Sequence, residues 1–257
     1  VNTLLTHLED GVLTITLNRP ERRNALTPEM QEELIAELNA AKEGSAKLII
    51  LTGAGTAFCS GLDLAVLESM STQTVEEQKA AARCTAKLFH TLYSLPIPTI
   101  AAVNGHAIAG GTGLATLCDF TFAVPEAQFG YTEVKIGFIP ALVSVFLGLQ
   151  LGEKQARGLL LSGQLFSAQR AHELGLVIEI IQDEKLQERV HLFAQELLQN
   201  SPSAMRKTKE LQLAQTASEL NARIDRAVAA SLEARRHPDF QEGITAFLNK
   251  RKPRWQD

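Results

Sequence analysis

Apolar and polar positions alternate in VLTITL, from Val12 to Leu17, the period of a strand with one covered face. The pattern stops at NRPERR, where Pro20 removes a backbone donor. Thr27 and Pro28 supply a helix cap and first turn, and Met30, Leu34 and Leu38 follow at helical spacing. KLIILTG, residues 47–53, is an unbroken apolar run of strand length and predicts a buried strand. AGTAFCSGLDLAVL begins as a loop and runs into another apolar segment. A second round follows, with an alanine-rich helix over 75–93 and a covered strand in PTIAAVNG, after Pro96 and Pro98. A glycine turn then leads into a helix near Gly111, and residues 120–124 form a short strand before Pro125. Helices start near Ala141. Ser167 caps one that Gly175 ends, and residues 176–181 read as one more apolar strand. From Asp183 the helical period dominates, broken near Ser201 and Pro202. Phe240, Ile244 and Phe247 make one apolar face ahead of Lys250, Arg251, Lys252 and Arg254. No internal repeat is evident by eye. The pattern divides the chain into an α/β core over residues 1–195 and a helical region over 196–257.

With 257 residues, 45 % of them hydrophobic, the chain can fill one core with an appendage, or two small domains. A net charge of -4 gives no footprint for nucleic acid or an anionic membrane, though local basic clusters can still hold a phosphorylated ligand. Cys59, Cys84 and Cys118 have neither the spacing of a disulfide framework nor that of a zinc site, which points to a reducing compartment and no metal. The N-terminal residues show no basic run followed by an apolar stretch, and no segment is long and apolar enough for a bilayer. A cytoplasmic protein without membrane partners is the expectation.

VNGHAIAGGTGLATLCD, residues 103–119, concentrates four glycines among small and apolar residues. Gly105 and Gly110 have P-loop spacing, but Gly111 stands where that loop needs lysine. The dinucleotide fingerprint fails as well, because Thr116 replaces its third glycine. What remains is a turn with available amides leading into a helix. FCSGLD is not a nucleophile elbow, so Cys59 and Ser60 are weak nucleophile candidates. The histidines are scattered; His106, beside the glycine turn, reads as a packed or backbone-bonded side chain. Asp63 and Asp119 each follow a turn-prone segment and read as caps. Glu133, in FGYTEVKIGFIP, is the better acid: an apolar pocket there would raise its pKa and suit it to carry a proton.

Six blocks together resemble the enoyl-CoA hydratase/isomerase (crotonase) family: LNRPERRNAL, AFCSGLDL, NGHAIAGGTGLATLCD, AQFGYTEVKIGFIP, SAQRAHELGLV and AFLNKRKP. They span nearly the whole chain in the family's order. The resemblance implies an α/β fold, a spiral of ββα units with a helical C-terminal region for trimerisation, and assembly as a homotrimer or dimer of trimers. It implies an acyl-CoA thioester as substrate, with no permanently bound cofactor. Matching the blocks places backbone donors for the thioester oxygen at Leu62 and Gly110, and the acid at Glu133. CoA-binding positions fall at Arg19, Arg23, Ala57, Cys59, Gly61, Asp63, Leu64 and Lys250, with Arg22 able to alternate with Arg23. The substrate pocket draws on Gly111, Gly113, Tyr131 and Phe138, and residues 67–82 correspond to a variable acyl-pocket region.

One position departs from the pattern. Hydratases of this family carry two glutamates, and the first falls here on Gly113. A single carboxylate is suited to taking a proton from one carbon and returning it to another, so the resemblance implies an enoyl-CoA isomerase-like activity through an enolate or dienolate. Hydration of a 2-enoyl-CoA, including branched or methylglutaconyl types, is the alternative. Decarboxylation, thioester hydrolysis and acyl-CoA binding with weak catalysis stay open.

Overall fold

The computed structural model describes residues 2–70 and 73–255. Strand β1 (Leu4–Glu9) pairs antiparallel with β2 (Val12–Leu17) through Asp10 and Gly11, whose φ values of 49° and 81° are those of a tight hairpin turn. Only Leu4 of β1 is buried, so the strand has no hydrophobic period to betray it. Helix α1 (Pro28–Glu43) starts where Thr27 Oγ1 accepts from the Met30 N–H at 3.2 Å, and it buries Met30, Leu34 and Leu38 as their spacing requires.

A unit then repeats that the sequence conceals. Strand β3 (Leu48–Gly53) is followed by the three-residue β4 (Ala57–Cys59), then α2 (Leu64–Ser69) and α3 (Val75–Tyr93). Strand β5 (Thr99–Val103) is followed by β6 (His106–Ile108) and α4 (Gly110–Leu117). Strand β7 (Phe120–Ala123) is followed by β8 (Gln128–Gly130), a 3-10 turn at Glu133–Ile136, then α5 (Ala141–Leu151) and α6 (Glu153–Ser162). Each time the first strand joins one sheet and the second joins another. This is the α/β spiral of ββα units. The eye misses it in the sequence because β4, β6 and β8 are too short to show a period.

Strand β9 (Phe166–Ser167), α7 (Ala168–Glu173), β10 (Glu179–Ile180), α8 (Asp183–Leu198), α9 (Pro202–Ala234) and α10 (Pro238–Leu248) complete the described elements. The six-stranded sheet has the order β1-β2-β3-β5-β7-β10, with β3 and β5 buried at every residue. The four-stranded sheet has the order β4-β6-β8-β9. The last strand of the larger sheet is shorter than residues 176–181 suggested. The N–H groups of Leu176 and Val177 both bond to Ala171 O, at 2.9 and 3.2 Å, and so close the end of α7 instead. Helix α9, capped by Ser201, lies against α3 and α5 and buries Leu220, Ile224 and Val228 in the main core. Asp119 Oδ2 ties this helix to the sheet, accepting from Thr99 N at 2.8 Å and Lys209 Nζ at 2.6 Å.

The single apolar face expected of Phe240, Ile244 and Phe247 is split. Helix α10 packs Phe240 and Ile244 with Met70 and Phe138 in a satellite cluster, whereas Phe247 is 54 % exposed. Gly158, mid-way along α6, is exposed, and a Cβ added there would meet nothing within 4 Å. Gly158→Ala is therefore expected to raise stability by about 0.5–1 kcal/mol, the helical cost of glycine, as read by urea denaturation.

Candidate active site

Strands β4, β6 and β8 are neighbours and run parallel. Their C-terminal ends therefore share one edge, where open α/β sheets hold ligands. Leu62, Gly110 and Glu133 follow within two or three residues of those three ends. All three line one cavity of about 670 Å³.

Local geometry exposes the first two as backbone donors. Leu26 bridges the 61–63 segment: its N–H donates to Gly61 O at 2.8 Å, and the Asp63 N–H donates to Leu26 O at 3.0 Å. The intervening Leu62 N–H is thereby turned to the other side, and it donates to no described residue. Gly110 opens α4, so its N–H also lacks an intrahelical acceptor. The positive φ of this turn falls on Ala109 (φ 51°, ψ -120°) rather than on a glycine, a conformation that L residues rarely hold. Its N–H is fixed to Gly130 O at 2.7 Å. The glycines serve close approach. A Cβ on Gly111 would meet Cys59 Cβ at 2.9 Å as well as the Cys59 carbonyl, and one on Gly61 would meet Ala109 Cβ at 3.1 Å. Bare backbone is what lets the 59–62 and 108–111 segments lie side by side.

Glu133 starts the 3-10 turn after β8. Its Oε2 is buried with no hydrogen-bond partner. Burial pushes its pKa up to about 7, with a bond from its own backbone N–H pulling the other way. Helix α10 buttresses this turn, since Gly243 packs directly on the Ile136 backbone. At Gly113, a Cβ would meet Val143 Cγ1 at 2.8 Å and the Phe89 ring at 2.9 Å. Those two side chains also line the cavity. The space beside Gly113 is thus filled by apolar groups.

The other expected site residues separate into two groups. Arg23, Asp63, Leu64 and Phe138 line the cavity, as do Arg22 and Lys135, whose side chains are exposed. Arg19, Ala57, Cys59, Gly61, Gly111, Gly113, Tyr131 and Lys250 are not among the lining residues. Arg19 is committed elsewhere, with Nη1 2.8 Å from Asp63 Oδ2 and 2.7 Å from Ala25 O. Asp63 also caps α2, accepting from the Ala65 N–H at 2.9 Å. Burial raises the Asp63 pKa, but the bonds from Arg19 and Ala65 outweigh it and hold the carboxyl below its ordinary range. Cys59 is fully buried off the cavity, and burial pushes its thiol up to about 12, which disfavours a thiolate nucleophile there. Tyr131 is buried with Oη 3.4 Å from Thr116 Oγ1, its pKa raised by burial. His106 is exposed, and its Nδ1 accepts from the Gln128 N–H at 3.2 Å, the backbone-bonded role expected of it. Ser71 and Thr72 of the expected acyl-pocket segment, and Gln256 and Asp257 of the basic tail, lie outside the described residues.

Sequence reasoning missed two residues that shape the site. Asn24 is fully buried with φ 54°, and its Nδ2 donates to Ala54 O and Ala57 O at 2.9 and 2.8 Å. It pins the arginine turn to the β3–β4 connection. Thr112 Oγ1 donates to Ala107 O at 2.6 Å and accepts from the Gly130 N–H at 3.0 Å, joining the ends of β6 and β8. An asparagine among charged residues was the available signal for the first; nothing in the pattern marked the second.

Among the described residues no cluster of histidine, cysteine or carboxylate groups could hold a metal ion, and no helix is long and apolar enough to cross a membrane. The family model for enoyl-CoA hydratase/isomerase matches residues 7–257. A Thermus thermophilus protein named "Putative enoyl-CoA hydratase" is 44 % identical over 253 residues, covering 98 % of this chain and 100 % of the relative. The 1,2-epoxyphenylacetyl-CoA isomerase of Escherichia coli is 33 % identical over 255 residues, covering 98 % and 97 % of the two chains. The crystal structure of an enoyl-CoA hydratase/isomerase from Xanthobacter autotrophicus superposes with a TM-score of 0.88 at 31 % identity, covering 100 % of this chain and 99 % of the other. With the ββα spiral, the shared strand edge and these likenesses together, the chain is an enzyme of the enoyl-CoA hydratase/isomerase family.

Proposed function

We propose that the enzyme moves a double bond from the 3 to the 2 position of an enoyl-CoA thioester. The observation that carries this reading is one buried carboxylate whose Oε2 has no partner, in a cavity also lined by the Phe89 and Val143 side chains that fill the space beside Gly113. Of the other acids on the cavity, Asp63 is paired with Arg19, and Glu21 belongs to the exposed Pro20–Arg22 turn. In this mechanism the Glu133 carboxylate removes a proton from C2 of a 3-enoyl-CoA. The electron pair delocalises into a dienolate whose negative oxygen accepts from the Leu62 and Gly110 N–H groups, with the positive end of α4 behind Gly110. Protonated Glu133 then delivers the same proton to C4. The apolar wall excludes water from the intermediate.

The CoA phosphates meet Arg22, Arg23 and Lys135 at the exposed rim in this reading, while Arg19 braces the turn beneath them. Lys250, off this chain's cavity, contacts the CoA of an adjacent subunit in a homotrimer or dimer of trimers, a state that sedimentation equilibrium would test. Incubation with a 3-enoyl-CoA and separation of products is the decisive measurement for the chemistry. The 2-enoyl-CoA is the expected product, and accumulation of a 3-hydroxyacyl-CoA in its place would overturn isomerisation. Hydration is the second reading, favoured by the name of the 44 % identical relative. It requires water held by a group other than a second glutamate.

A further inference from the structure

Arg235, the residue that ends α9, lines the same cavity as Glu133 and is only 6 % exposed. Its Nη1 donates to Gln78 O at 3.1 Å, and its Cζ lies 5.8 Å from the centre of the Phe138 ring. Its buried Nε has no acceptor, and no described carboxylate forms an ion pair with the guanidinium. A guanidinium stays charged in a protein, and burying it beside one carbonyl and one ring leaves much of its lost hydration unreplaced. Such a group is compensated when an anion arrives. Ser231, one helical turn earlier on α9, is also buried and lines the cavity.

Phe138 links this end of the cavity to the reacting one. Its N–H donates to Glu133 O at 3.1 Å while its ring lies beneath the guanidinium. The cation is therefore one side chain away from the turn that bears the acid, on a cavity that Leu62 and Phe138, packed in one apolar cluster, also line. We propose that Arg235, assisted by Ser231, binds a carboxylate at the far end of the acyl chain, so that the substrates are CoA monothioesters of unsaturated dicarboxylic acids. This rests on the acyl-CoA reading of the site but not on which reaction follows.

Saturated thioesters, which cannot isomerise or add water, make the test independent of chemistry. Affinities would be measured by calorimetry for succinyl-, glutaryl-, adipoyl- and suberoyl-CoA against butyryl-, valeryl-, hexanoyl- and octanoyl-CoA. The native enzyme is expected to prefer one carboxylated member over its uncharged counterpart by about tenfold to a hundredfold, the range of a charge-assisted hydrogen-bonded pair. Arg235→Met is expected to bring that ratio near one, and Arg235→Lys, which keeps the charge without the planar fork, to leave an intermediate ratio. Melting curves report whether each variant is folded; replacing an unpaired buried cation by an apolar side chain favours folding. Equal affinities across every native pair, or a preference that survives in Arg235→Met, would overturn the subsite. Isomerisation without a carboxylate preference removes the subsite and keeps the proposed reaction. A carboxylate preference with a hydroxyacyl product does the reverse.

Discussion

Glu133→Gln lowers kcat/KM for the 3-enoyl-CoA by about 10²–10⁴-fold, the range contributed by a positioned acid–base group. Glutamine keeps the size of the side chain and removes only its capacity to accept a proton. In the proposed mechanism the carboxylate is the reactive form, and burial moves its pKa from 4.5 to about 7. Activity should consequently climb as pH rises through about 7, and Glu133→Gln should lose that limb. The stability signature has the opposite sense. Because the folded state holds this proton more tightly than the unfolded chain, it loses stability as pH rises from about 4.5 towards 7. At pH 8 the glutamine variant should then melt higher than the native protein while turning over far less substrate. A native rate independent of pH between 5 and 9, with Glu133→Gln fully active, would remove Glu133 from the mechanism.

Gly111→Ala should reduce kcat by about 10²–10³-fold, the effect of losing a preorganised backbone donor. The added methyl has no free volume: Cys59 Cβ would stand 2.9 Å away and the Cys59 carbonyl carbon 2.8 Å. Relief requires the 59–62 segment to separate from the 108–111 segment, which pulls the Leu62 and Gly110 N–H groups apart. The same overpacking should cost about 1–3 kcal/mol of stability. Gly158→Ala is the matched control, since it adds the same methyl to a helix with open space around it. Kinetics and urea denaturation on both variants separate the effect of position from that of glycine replacement. Native kcat in a folded Gly111→Ala enzyme would show that the tight contact is irrelevant to turnover.

Much of the larger sheet was legible from pattern alone, because β2, β3 and β5 carry continuous or alternating apolar positions. Strand β1 was not, since five of its six residues are exposed; Asp10-Gly11 was its one local signal. The smaller sheet was hidden for a different reason. Its strands β4, β6 and β8 have three residues each, and their identity comes from neighbours contributed by distant parts of the chain. At the site, Glu133 stood out by its apolar surroundings, but Leu62 entered only through family resemblance, because a backbone N–H leaves no trace in side-chain chemistry. Arg19 shows the converse difficulty. Its charge suggested a phosphate ligand, yet Asp63 lies 44 positions away in sequence and 2.8 Å away in space. Arg235 could not be singled out from the sequence, since burial alone distinguishes it from Arg236 beside it.

The alternation of strands between the two sheets separates endurance from invention. The wide sheet takes the first strand of every unit into the dry interior, whereas the narrow one delivers a single working segment from each unit to a common rim. Under the proposed mechanism, exchanging one segment retunes proton delivery, charge stabilisation or chain selection while the other two stay in register. A catalytic repertoire can grow on such an arrangement one loop at a time.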